Sequence, residues 1–140
     1  MSLIVRTAHA ADIPRLIEIR AAVRENRLSD PRWAAAADYE PYVADGRCWV
    51  AEAHGSVVGF AALDSDRASV WALFVAPEAE GQGAGRMLLD TLLAEARRRG
   101  LGDLRLTTSE GTRAERVYRS AGWTEAGRKP DGSLIFRLTL

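Results

Sequence analysis

The segment Pro77-Glu78-Ala79-Glu80-Gly81-Gln82-Gly83-Ala84-Gly85-Arg86 constrains this chain more than any other. It stands between a β-type run, residues 69–76, and an amphipathic run whose Leu88, Leu89, Leu92, Leu93 and Ala96 share one helical face. Strand, glycine turn and helix in that order leave several N–H groups unpaired at the helix start, with the positive end of the helix dipole behind them. Glycines at alternate positions remove the Cβ atoms that would keep an anion off the backbone. An anion site and a plain glycine turn capping a helix both satisfy the pattern. Two common phosphate loops do not. No Gly-Lys-Ser/Thr follows, and a G-x-G-x-x-G counted from Gly81 or Gly83 puts Arg86 or Leu88 at its third glycine.

The other elements are read from changes of period. Leu3-Ile4-Val5-Arg6 is a short strand. Ile13-Pro14 places a proline in a first helical turn, where its missing N–H costs nothing, and Ile13, Leu16, Ile17 and Arg20 share a face that carries this helix to about Asn26. Ser29-Asp30-Pro31 interrupts it and offers an N-cap to a second helical stretch, residues 34–39. Residues 47–53, 56–63 and 69–76 form a three-strand meander turning at His54-Gly55 and at residues 64–67. The glycine helix closes on Arg97-Arg98-Arg99-Gly100, the cations and glycine expected of a helix end. A strand at 104–108, a helix at 112–121, a weaker strand at 123–127 and a last strand at 134–140 complete the order. The expectation is one α+β (mixed α/β) domain over residues 1–140. Its mixed, mostly antiparallel sheet has six to seven strands flanked by about four helices.

Composition excludes several functions. The 140 residues carry 19 basic and 19 acidic side chains, so no overall field draws the chain to nucleic acid or to an anionic membrane. The arginine triplet at 97–99 is read as a helix end, since no aromatic platform accompanies it. No apolar run approaches the roughly 20 residues of a membrane span, and Arg6 and Asp12 break any signal-peptide core, so a soluble, cytoplasmic protein is expected. Cys48 alone forms no internal disulfide, and His9 and His54 make no metal cluster, so no metal is expected. Cys48, Trp49 and Trp71 read as core residues. The zero net charge hides an asymmetry: from Gly85 onward there are 11 basic and 7 acidic residues, against 8 and 12 before it. The basic part holds the glycine helix, where a polyanion would dock.

The glycine segment resembles motif A of the GNAT family of N-acetyltransferases, Gln/Arg-x-x-Gly-x-Gly/Ala after a strand ending in a Val-x-Pro-like phrase. Here the phrase is Leu73-Phe74-Val75-Ala76-Pro77, followed by Glu80-Gly81-Gln82-Gly83-Ala84-Gly85. Glu80 departs from the pattern and sets a carboxylate where the family has Gln or Arg. A second phrase, Ala114-Glu115-Arg116-Val117-Tyr118-Arg119-Ser120-Ala121-Gly122-Trp123, resembles the family's Ala-x-x-Phe-Tyr-x-x-x-Gly-Phe. The Asn that often stands three residues before this Ala is Gly111 here. The order of elements matches over essentially the whole chain.

The resemblance implies an acetyl-CoA-dependent enzyme that acetylates a primary amine of a small molecule or peptide by direct attack in a ternary complex. Carried over, Gly81, Gln82, Gly83, Ala84, Gly85 and Arg86 bind the pyrophosphate, Arg86 being equally a solvated first-turn arginine. Phe74 and Val75 offer backbone groups to the pantetheine and thioester, with the Val75 N–H as oxyanion donor. Tyr118 is the candidate acid toward the departing thiolate. Without the resemblance it is an aromatic core residue. Arg20, Arg24, Glu25, Asn26 and Trp33 lie in the segment that walls the acceptor pocket, and their charge points to a polar or charged acceptor. The strand before the glycine loop has no carboxylate to serve as base, which leaves Glu110 or Glu25 as candidates, or a chain of waters. The family allows a homodimer. The alternative function is a sensor module that binds acyl-CoA without turnover.

Overall fold

A computed structural model describes residues 3–23 and 35–140. Strand β1 (Leu3–Thr7) and a 3-10 turn (Ala10–Asp12) lead into α1 (Ile13–Ala22), followed by α2 (Ala36–Ala44) and the strands β2 (Cys48–Ala53), β3 (Ser56–Asp64) and β4 (Ser69–Val75). Then come α3 (Ala84–Arg98), β5 (Asp103–Thr108), α4 (Arg113–Ser120), β6 (Thr124–Arg128) and β7 (Leu134–Thr139). The seven strands lie in one sheet in the order β1-β2-β3-β4-β5-β7-β6, antiparallel throughout except for β4 beside β5. Among the described residues, the mixed fold, the seven strands and the four helices agree with the sequence reading.

Most element limits fall within two residues of that reading, but the ends of the first two helices differ by more. The first helix stops at Ala22, where Val23 turns extended at φ −80° and ψ 98°. The second runs on through Pro41 to Ala44, although a proline inside a helix removes a backbone hydrogen bond. Aromatic packing holds it there. Tyr42 stacks on Trp71 with ring centroids 4.5 Å apart, and the buried Tyr39 meets the edge of the same indole at 5.2 Å.

Alternation along the strands divides the core into two layers. On one face Trp49, Ala51, Ala61 and Leu63 meet the apolar stripe of α3, and Leu88, Leu89 and Leu92 are wholly buried there. On the other face Cys48, Val50, Phe60, Ala62 and Phe74 meet α1 and α2 through Leu16, Ile19 and Tyr39. Trp49 is core, as read. Trp71 is not, for it is only partly buried.

The feature that positions everything else is the junction of β4 with β5. Each is tied to its outer neighbour, β4 to β3 as far as Val75↔Gly59 and β5 to β7 over six residue pairs. Between the two, the ladder consists of Ser69↔Arg105 alone, next to a hydrogen bond from Arg105 N–H to Ala68 O at 2.9 Å. Past this point the strands part, and backbone groups on the facing edge of β4 lose a sheet partner. Gly59 lets β3 and β4 approach closely here: a Cβ on it would stand 2.9 Å from the Phe74 carbonyl oxygen and 3.2 Å from Leu88 Cδ1.

Two predictions follow from the packing. Gly59→Ala should lower stability by about 1–3 kcal/mol, because the contact is with backbone that cannot swing away; an unchanged urea midpoint would contradict the close approach. Burial pushes the Cys48 thiol up from 9.0 to about 12. The unfolded chain therefore ionises it first, and stability should fall as pH rises from 9 towards 12 with a limiting slope of about 1.4 kcal/mol per pH unit. Cys48→Ala, measured by urea unfolding at pH 8 and pH 11, should remove that part of the alkaline loss.

Candidate functional site

The parting of β4 and β5 opens a cleft of about 370 Å³ through the sheet. Its walls are residues 70–75 of β4, Leu106, Thr107 and Thr108 of β5, the glycine segment, and Val117 and Tyr118 of α4. Arg20 and Val23 of α1 line it as well. Its described charged groups are Arg20, Arg86, Arg113 and Glu80. Three cations against one carboxylate suit a polyanionic ligand.

At the glycine end, Gly81 and Gly83 take φ values of +80° and +93°, a left-handed conformation that side chains resist. Gly83 is the N-cap of α3 and supplies no side-chain hydrogen bond to it, so the first-turn N–H groups remain available to a ligand. Gly81, Gly83, Ala84, Gly85 and Arg86 line the cleft, whereas Gln82 is exposed outside its lining. Arg86 lies along α3, with its Nε 3.3 Å from Asp90 Oδ1. The donor set fits a pyrophosphate: several backbone N–H groups at a helix N-terminus, with no side chain capping them.

The β4 backbone is sorted by its pairing. Ala76 N–H donates to Val58 O at 2.7 Å, and the Phe74 carbonyl lies against Gly59. Antiparallel alternation then turns the N–H and C=O groups of Leu73 and Val75 the other way, towards the side from which β5 has diverged. The Val75 N–H is thus a donor aimed into the cleft. Leu73, which the sequence did not single out, shares this orientation. Phe74 contributes its ring instead, on the α1 face.

Tyr118 is held by a well-capped helix. Thr112 Oγ1 donates to Ser109 O at 2.8 Å and accepts from Glu115 N–H at 3.2 Å, while Gly111 N–H donates to Glu115 Oε1 at 2.7 Å. The Tyr118 ring meets Trp123 edge-on at 5.5 Å and lies 6.3 Å from Phe136. It is both the core aromatic and the cleft residue that the sequence offered as alternatives. Burial raises its pKa above that of an ordinary phenol, so it keeps its proton throughout the neutral range.

At the α1 end, the Arg20 guanidinium lies 4.4 Å from the centre of the Phe74 ring and 5.8 Å from that of Trp71. The residue is 8% exposed, and burial lowers its pKa to about 10, which still leaves it charged at neutral pH. Arg24, Glu25, Asn26 and Trp33, read as the acceptor wall, lie outside the described residues. Glu110 does not line the cleft. Arg128 donates to both its carboxylate oxygens at 2.9 and 2.8 Å and holds its pKa below the usual range, which makes it a poor base. Of the arginine triplet, Arg98 and Arg99 donate to Glu95 at 2.8 and 2.6 Å, and Arg99 reaches Asp45 at 3.2 Å, as befits a helix end. Among the described residues no cluster of ligands could hold a metal, and no helix is long and apolar enough to cross a membrane.

Comparison with known proteins agrees with this fold. Residues 13–123 match the model of the acetyltransferase (GNAT) family. A PaiA N-acetyltransferase from Thermoplasma acidophilum, solved in complex with coenzyme A, superposes over 100% of both chains with a TM-score of 0.84 at 15% identity. YncA from Salmonella typhimurium, a putative acetyltransferase solved with its cofactor acetyl-CoA, aligns over 100% of this chain and 95% of its own, with a TM-score of 0.81 and 24% identity. A ribosomal-protein-alanine N-acetyltransferase from Brucella melitensis aligns over 98% of this chain and 99% of its own, with a TM-score of 0.79 and 28% identity. With a family match that runs from α1 through the glycine loop to the end of α4, this chain belongs to the acetyltransferase (GNAT) family.

Proposed function

We propose that the chain is an N-acetyltransferase that passes the acetyl group of acetyl-CoA directly to a primary amine. The observation that carries this reading is that one cleft joins the α3 N-terminus, the ladder-free Val75 N–H and the buried phenol of Tyr118. Acetyl-CoA supplies a thioester whose carbonyl carbon is open to attack. Amides of Gly81, Gly83, Ala84, Gly85 and Arg86 bind its pyrophosphate, Gln82 belonging to the same loop, and the β4 edge at Leu73 and Val75 lies along the pantetheine, with Phe74 between them. The Val75 N–H hydrogen-bonds to the carbonyl oxygen as charge develops there. The C–N bond forms as the C–S bond breaks, and Tyr118 O–H stabilises the sulfur as it takes the electron pair. Its raised pKa makes hydrogen bonding, rather than full proton transfer, the way it contributes.

The amine must shed a proton, and among the described residues the only carboxylate lining the cleft is Glu80, at the glycine end. An ordered water chain is the proposed route. At the other end stands Arg20, a buried cation that disfavours a neighbouring ammonium and so helps the amine to be neutral. It also supports an acceptor whose own carboxylate balances the charge. The segment with Arg24, Glu25, Asn26 and Trp33 is the proposed outer wall of this pocket.

Tyr118→Phe should lower kcat by about tenfold or more, with acetyl-CoA affinity unchanged within a factor of two. Wild-type kcat should not fall between pH 8 and 10, since the phenol keeps its proton across that range. Unaltered turnover in the variant would remove the acid role. Arg20→Gln should raise KM for a carboxylate-bearing amine by about tenfold, without affecting acetyl-CoA affinity. Release of free thiol from acetyl-CoA across a panel of amines tests the whole reading. Tight binding of coenzyme A with no release for any amine would instead mark a sensor module.

A further inference from the structure

The departure at position 80 puts a carboxylate beside an anion site, and a carboxylate there repels pyrophosphate. The structure shows what accompanies it. Glu80 Oε2 lies 3.9 Å from Nε of Arg113, the first residue of α4. The same guanidinium reaches the glycine loop itself: its Nη2 is 3.2 Å from the point where a Cβ on Gly81 would stand. Position 81 therefore needs glycine twice, for its φ of +80° and for the room the guanidinium takes. Arg113 is also set from a fixed base, since Thr112 and Glu115 cap the start of its helix. The loop's own arginine is directed elsewhere, along α3 to Asp90.

We propose that Arg113, reaching over the glycine loop from α4, is the phosphate-binding cation of this chain, and that Glu80 is its holder before the pyrophosphate arrives. The inference rests on the cleft being the acetyl-CoA site. It assigns to the pair the work that Gln or Arg at position 80 does not do here. At 3.9 Å, between side chains 48% and 38% exposed, the Glu80 contact is weak enough to exchange. A pyrophosphate with two charges and several acceptor oxygens is the stronger partner, and takes the guanidinium in a charge-assisted, two-pronged contact. Glu80 then turns to solvent. In this chain the positive charge over the loop comes from an element some thirty residues downstream.

The test is a set of calorimetric titrations with coenzyme A, dephospho-coenzyme A and S-acetylpantetheine, which lacks the pyrophosphate. The proteins are wild type, Arg113→Gln, Glu80→Gln and the double variant. The expected result for Arg113→Gln is a loss of about tenfold in affinity for both coenzyme A and its dephospho form, with S-acetylpantetheine unchanged. Adding Glu80→Gln to that variant should restore about threefold or more, because an uncompensated carboxylate has been removed from beside the anion. A loss seen with coenzyme A but not with the dephospho form would move Arg113 to the 3′-phosphate and overturn the assignment. An equal loss for S-acetylpantetheine would show a folding defect and overturn it too, as would a double variant no better than Arg113→Gln alone. Failure of the wild type to bind coenzyme A at all would instead refute the cleft as the donor site.

Discussion

The separation of β4 from β5 governs this molecule. A parallel pair that stays zipped consumes its facing N–H and C=O groups, and a sheet so closed has no interior opening. Here one residue pair ties the two strands at their start, while β3 and β7 hold each of them from outside. The cost is unpaired backbone at Leu73 and Val75; the gain is a row of fixed polar groups facing a cleft. Because the outer ladders are intact, those groups are held in place and need little reorganisation when a ligand meets them.

The remaining parts of the site are placed relative to that opening. The α3 helix begins where β4 ends, so its N-terminus and the glycine amides meet the cleft on one side of the sheet. The α4 helix follows β5 and brings Tyr118 and Arg113 to the same opening. The α1 helix covers the opposite face and delivers Arg20. In the proposed reaction donor and acceptor have separate approaches, with the glycine loop at one and the buried Arg20 at the other. The charge asymmetry of the chain reflects this arrangement: the basic part supplies α3 and α4, the two elements beside the glycine loop.

Much of this was legible in the sequence, because it depended on local pattern. Glycines between a strand and an amphipathic helix, a helix carrying Tyr118, and alternating strands all register within ten or so residues. What escaped depended on contacts distant in sequence. The parting of β4 from β5 is set by which strands pair outside them. The sorting of Leu73 and Val75 from Phe74 needed the β3 register. The second helix, read only as far as Tyr39, runs on through Pro41 to Ala44, because Tyr42 and Trp71 pack together there. Glu110 was a candidate base by sequence, but in the fold Arg128 holds both its carboxylate oxygens. Glu80 read as a defect in a motif, and is intelligible only with Arg113 beside it.

The central claim is that ladder-free amides on β4 and at the start of α3 are the groups that receive acetyl-CoA. Amide hydrogen exchange resolved to single residues, with and without the cofactor, tests it most directly. Val75, Gly83, Ala84 and Gly85 should exchange quickly in the free protein and slow markedly when acetyl-CoA is added. Ala76, already bonded to Val58, should change little. Slowing confined to other residues, or a Val75 amide indifferent to the cofactor, would contradict the account.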